Sequence, residues 1–312
     1  MAGIAVGTEQ GLWILNPEGS GQPGSVSAFA GHRVSALALA QGGGALFALV
    51  DGQTLWAAPR DGGSEGDWSP VAGLEGLRGT CVAETRAGVL VGTAEARLLR
   101  LEDGVLRPVA GFDAAEGRAG WYTPWGGPPD TRSITEGDHA VLINVHVGGV
   151  LRSSDGGTSW HPTIEIDADV HRVMAHPLVP GRIYAACAGG LAVSDDDGTS
   201  WTISAEGLHA HYCRGVATTG DHVLVSASEG PGGRYSALYR GAPDGSGLQR
   251  CRAGLPEWFG TNIDSLSLDA SSSAGLAAFG TAAGSIFLSE DEGAIWRLAA
   301  DKLPPVTCVV IG

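Results

Sequence analysis

A chain of 312 residues with 43% hydrophobic and 17% charged residues has the apolar content for a large core, which excludes a disordered protein. A net charge of −15 repels nucleic-acid phosphates and anionic lipid. That sets aside nucleic-acid and membrane binding and leaves a small-molecule ligand, with a protein partner as a second option. Fifty glycines without a three-residue period exclude collagen and point to many tight turns between short apolar runs.

The chain opens with "MAGIAVGTEQGLWIL", which lacks a basic leading segment and an unbroken apolar stretch. It reads as a pair of strands and not as a signal peptide. No apolar run reaches the ~18 residues of a membrane-spanning helix. The five cysteines have no Cys-x-x-Cys spacing, and Cys81, Cys213 and Cys308 sit inside apolar runs. They read as buried thiols in a reducing compartment, so a cytoplasmic location is expected.

Six units then follow one grammar. "RVSALALAQGGGALFALVDGQTLWAAP" begins at 33, "GTCVAETRAGVLVGTAEARLLRLEDG" at 79 and "TRSITEGDHAVLINVHVGGVLRSSDGGTSW" at 131. The remaining three begin at 170, 212 and 263. In each, short apolar runs alternate with turns and the unit closes on an acidic, glycine-containing turn. A period of about 45 residues with four short strands is the signature of a propeller blade. The chain ends supply a seventh unit: "VTCVVIG" at 306–312 is an innermost strand without followers, and "GIAVGTEQGLWILNP" at 3–17 is a second and third strand without a first. The expected fold is all-β, a seven-bladed β-propeller forming one domain over 1–312. Pairing of the two chain ends within one blade closes it and protects the sheet edges.

Three units end on the same turn. Ser153, Asp155, Gly157, Ser159 and Trp160 recur as Ser194, Asp196, Gly198, Ser200 and Trp201, and as Ser289, Asp291, Gly293, Ile295 and Trp296. Worn versions stand at 59–68 and 240–247. An Asp carboxylate accepts backbone N–H groups of its own turn, Gly takes a conformation closed to other residues, and Trp buries a large apolar area. The turn is therefore a structural clamp. It resembles the Asp-box, or BNR repeat, of sialidase-like and other propellers. The resemblance implies that it links third to fourth strands on the face away from the ligand site.

Propeller ligands sit at the mouth of the central channel, reached by the segments leading into innermost strands and by the turns between second and third strands. "WYTPWGGPPDTRS" offers Trp125, Asp130 and Arg132; "DADVHRV" offers Asp169, His171 and Arg172; "HAHYCRG" offers His209, His211, Tyr212 and Arg214; "PEWFGTNIDS" offers Trp258, Asn262 and Asp264. The second-to-third turns add His146 and Glu229. The other three units read as bland there.

Three chemistries use this set. His146, His171 and His211 would hold Zn, Fe or Cu with an open position. Alternatively, a His beside Asp or Glu acts as general base while Arg132 and Arg214 hold an anionic substrate. Paired carboxylates drawn from Asp130, Asp264 and Glu229 would serve glycoside cleavage. Arg132, Arg172 and Arg214 imitate the carboxylate-binding arginine triad of sialidases, but sialidases resemble six-bladed propellers and their Arg-Ile-Pro signature is absent here. The leading expectation is an enzyme with a small-molecule site at the mouth, with a non-catalytic binding or scaffold protein as the alternative.

Overall fold

The computed structural model describes residues 3–16, 26–60, 64–124 and 126–312. Trp125 and part of the worn turn at 59–68 lie outside the described residues, as does Pro17.

Second strands show why the chain folds as it does. Val141–Val145, Ile183–Cys187 and Val223–Ser228 are buried at every position. A strand covered on both faces reads as a near-continuous apolar run, as "IYAAC" does and as "VLINV" does apart from Asn144, whose amide donates to the Val170 carbonyl and accepts from Ser133 Oγ, and not as an alternating pattern. The covering layers are neighbouring sheets. One core cluster joins Leu90 and Leu98 of one sheet to Val141, Ile143, Leu151 and Trp160 of the next. Outermost strands such as Thr202–Ser204 are short and exposed, and their shortness blunts the outer edge.

The result is a seven-bladed propeller. Blades 1 to 6 are four-stranded antiparallel sheets in sequence order, with innermost strands Val34–Leu39, Gly79–Thr85, Thr131–Glu136, Val170–Ala175, Tyr212–Thr218 and Leu268–Ser271. Blade 7 pairs Ile4–Thr8 with Gly11–Leu15 on one side and with Val306–Ile311 on the other. The chain ends thus close the ring in one blade, as the orphaned strands predicted. Innermost strands touch their neighbours all the way round. Blade 6 differs from the sequence reading. Its innermost strand starts at Leu268 and not at 263, because Asp264 Oδ1 accepts the Ser265 N–H at 2.8 Å and its carbonyl accepts the Ser267 N–H, turning the chain first.

The three acidic turns are built alike. Asp155 Oδ1 accepts from the N–H groups of Thr158 and Ser159 at 3.0 and 2.9 Å and from Ser153 Oγ, which itself accepts the Gly157 N–H. Asp196 repeats the pattern with Thr199 and Ser200. Asp291 keeps the Ser289 and Ile295 bonds. Trp160 and Trp296 are buried and donate to Gly157 and Gly293; Trp201 is half-buried and donates to Thr163 Oγ1 instead.

Each turn is also latched from the preceding blade. Arg100, Arg152 and Arg240 on third strands donate to the carbonyls of Gly156, Asp197 and Glu292, the residue after each turn Asp. Gly198 has φ +79°, and a Cβ there would lie 2.2 Å from Leu142 of the blade before. The turn clamps blade to blade as well as strand to strand.

Candidate functional site

At the mouth end, innermost strands share a local irregularity. The register with the second strand slips between Val34 and Ala36, Gly79 and Cys81, Thr131 and Ser133, Val170 and Arg172, and Cys213 and Val216. A β-bulge leaves an extra residue unpaired and re-aims its side chain. The residues so placed include Ser35, Thr80, Arg132, His171 and Arg214. All but His171 line one cavity of about 190 Å³ at the channel mouth.

The cavity has a strong electrostatic character. Arg33, Arg78, Arg132 and Arg214 face it, opposed by Asp130 and Asp264. Arg214 grips Asp264 Oδ1 with Nε and Nη2, both at 2.9 Å, and Arg78 lies 3.4 Å from Asp130. Burial works to raise the Asp264 pKa, but the charges of Arg214 and Arg132 and the Ser265 N–H outweigh it and hold the carboxyl ionised. Arg132 has no such pairing at its tip: Nη1 is buried without a hydrogen-bond partner. Burial, and then the nearby Arg214, lower its pKa.

Arg172 does not join them. It reaches past blade 5 to the carbonyls of Ser265 and Leu268 in blade 6 and approaches Asp269, which is itself bound to the Ile311 N–H. This half-buried arginine braces the inner ring, so only Arg132 and Arg214 of the sialidase-like triad face the cavity.

Beside the cavity lies a second cluster. The His146 N–H is held by the Asp130 carbonyl, and its Nε2 sits 2.9 Å from Asp169 Oδ1. His171 Nε2 stands 3.5 Å from Asp169 Oδ2, and its Nδ1 donates to the Cys213 carbonyl at 2.6 Å. Tyr212 packs on the His171 ring with centroids 4.7 Å apart. Burial raises the Tyr212 pKa against the opposing charge of Arg214. For Asp169, burial raises the pKa, but the neighbouring imidazole nitrogens, His146 first, outweigh it and hold the carboxyl well below the usual range. Burial lowers the His171 pKa, more than Asp169 restores it. The backbone is strained here: Val147 and Asp169 have φ of +52° and +45°. A β-branched residue in the left-handed region is a true outlier, and such strain gathers at functional sites.

Other sequence candidates lie apart. His211 is exposed, and its Nδ1 donates to the Ala188 carbonyl at 2.7 Å, so the His146–His171 pair is completed by Asp169 and not by His211. Glu229 pairs with exposed Arg234. Asn262 accepts from Ser228 Oγ and donates to the Pro231 carbonyl, fixing a loop. Trp258 packs between His209 and Tyr235 under the Arg250 guanidinium. Sequence reasoning missed Arg33, Arg78 and Thr80, in units that read as bland. Their signal was available: Arg33 and Arg78 occupy the same leading position as Asp130 and Asp169.

No family model and no curated protein matches the chain. Solved structures do. The GH74 xyloglucanase from Xanthomonas campestris aligns at a TM-score of 0.57 and 14% identity over 85% of this chain and 45% of that one. YCF48 bound to a D1 peptide aligns at 0.57 and 14% over 96% and 94%, and the WD40 propeller domain of Doa1 at 0.58 and 12% over 85% and 80%. These likenesses show the fold alone. The chain spans under half the length of the xyloglucanase.

Proposed function

We propose that this propeller binds a small anionic molecule, of the carboxylate or phosphate class, at the channel mouth. The observation that carries the reading is Arg132, whose Nη1 is buried and unpartnered in a cavity where four guanidiniums face two carboxylates. In a protein of net charge −15 that concentration of cations runs against the whole surface. A buried donor without a partner costs about 1–3 kcal/mol, which an accepting oxygen of a ligand would recover. Guanidinium pairs suit planar, bidentate recognition of such oxygens.

The glycoside-cleavage reading finds less support. Asp130 and Asp264 are both engaged by arginines, and Asp264 is held ionised, whereas a glycosidase needs one carboxyl protonated. The xyloglucanase likeness does not supply that group. A non-catalytic role fits the same mouth, since the YCF48 relative of this fold is bound to a peptide. The three turns match the Asp-box pattern, and we read them as BNR repeats that have kept a structural role.

Thermal unfolding with a panel of carboxylates and phosphates tests the proposal. Binding anions should raise the melting temperature of the parent and leave that of Arg132→Met unmoved. An equal rise in both proteins would sink the reading.

A further inference from the structure

We propose that His146, Asp169 and His171 form a site for one divalent first-row transition ion of the zinc class. One donor atom from each lies within 4.8 Å of the others.

The decisive feature is the direction of the His171 ring. A carbonyl only accepts, so Nδ1, 2.6 Å from the Cys213 carbonyl, must carry the proton. In the neutral ring Nε2 then holds a bare lone pair. That lone pair points toward a carboxylate oxygen 3.5 Å away, too far for a hydrogen bond, in a side chain with no exposed surface. His171 Nε2 has no hydrogen-bond partner. Two electron-rich atoms facing each other in a buried place repel unless a cation lies between them. An Nδ1–H donated to a backbone carbonyl with Nε2 turned inward is the usual way a protein orients a metal-binding imidazole.

The spacing fits. An ion about 2.0–2.2 Å from each donor in tetrahedral geometry sets donors roughly 3.3–3.6 Å apart. His146 Nε2 stands 2.9 Å from Asp169 Oδ1 and His171 Nε2 3.5 Å from Oδ2, and one donor atom from each residue lies within 4.8 Å of the others, so side-chain adjustment of about 1 Å would bring the three onto one ion. Two imidazoles and a carboxylate make a borderline donor set that favours zinc, cobalt or iron over magnesium or calcium. Three protein ligands leave a coordination position open. Asp130, which lines the mouth cavity, also accepts the His146 N–H through its carbonyl, so the cluster lies beside the mouth.

The site stands on its own geometry and is probed with metal alone, separately from anion binding. Full-length protein stripped with chelator is titrated with Co²⁺, followed by its visible d–d absorption, and with Zn²⁺ by calorimetry. One equivalent of Co²⁺ should bind, and Zn²⁺ should displace it. Asp169→Asn and His146→Gln, each shown by melting to be folded, should weaken binding at least ~10-fold. His211→Gln should bind like the parent. Absence of saturable binding, equal binding in Asp169→Asn and His146→Gln, or matching loss in His211→Gln would each overturn the site. So would a protonated His171 ring that persists when metal is added, seen by imidazole NMR.

Discussion

Asp155 and Arg132 both carry charge near the end of a strand, on opposite faces of the ring. Asp155 is exposed, yet both its oxygens are occupied by its own turn. Arg132 is largely buried, yet one of its nitrogens has nothing to bind. On the far face, charge is used to finish the backbone: each turn Asp collects N–H groups, and a third-strand Arg from the preceding blade caps the next carbonyl. At the mouth, bulges aim polar side chains into space that the fold does not fill. The comparison separates stability from binding. The bonds within and between the Asp turns hold the ring together, whereas Arg132 Nη1 at the mouth is left without a partner, and on the proposal above a ligand supplies it.

Removing the closure should erase both faces at once. Deleting residues 306–312 takes away the innermost strand of blade 7 and its bonds to Ile4–Thr8. The expected result is loss of the cooperative thermal transition, followed by circular dichroism. A truncated chain that melts like the parent would show that the ring is held by its other six blades.

The next effect belongs to the far face. Trp160→Ala empties a packed site between Phe112 and the sheet of blade 3 and should cost about 3–5 kcal/mol in denaturant unfolding. Arg152→Met removes the latch on the Asp197 carbonyl, leaving the hydrophobic stem, and should cost about 1–2 kcal/mol. If the latch matters only through the neighbouring turn, a double variant with Asp196→Asn should lose less than the sum of the two single losses.

Arg132→Met should behave oppositely. Stability should stay within about 1 kcal/mol of the parent, because the lost charge was poorly paired, while the melting response to anions disappears. A large loss of stability would move Arg132 into the structural class.

The smallest effect is in pH. Asp196 is pulled down to about 2, chiefly by the Ser200 hydroxyl and N–H. A depressed carboxyl contributes stability that is complete above its unfolded pKa of about 3.9 and is lost as pH falls through the folded value. The gap in denaturant midpoint between the parent and Asp196→Asn should be flat from pH 7 to 5 and should narrow between about pH 4 and 2. A gap that persists at pH 2 would mean the side-chain shape, not its charge, matters.

Much of this was legible in the amino-acid order because it is local. A blade's four short runs, the glycine at each turn, and the Ser, Asp and Trp of "SSDGGTSW" lie within a few residues of one another, and their bonds close over the same span. Orphan strands at both ends specified the closure, since a strand with unpaired edges requires a partner. Even the latch was written there: Arg occupies the same third-strand position in "LLRLE", "VLRSS" and "LYRGA", the three units that precede an Asp turn.

The mouth was only half legible. The segments that reach it follow from the repeat, which is why Asp130, Arg132, His146, His171, Arg214 and Asp264 were found. Which of them meet was decided by the ring. A one-residue bulge turns Arg132 and Arg214 into the cavity while Arg172 crosses to brace blade 6. Left-handed Asp169, not His211, brings its carboxylate between two imidazoles. Arg33 and Arg78 become neighbours of Arg132 only when seven sheets close around one axis. Local order sets each blade, because its bonds are short in sequence; convergence of side chains from six blades on one cavity is a property of the closed ring, and no stretch of sequence contains it.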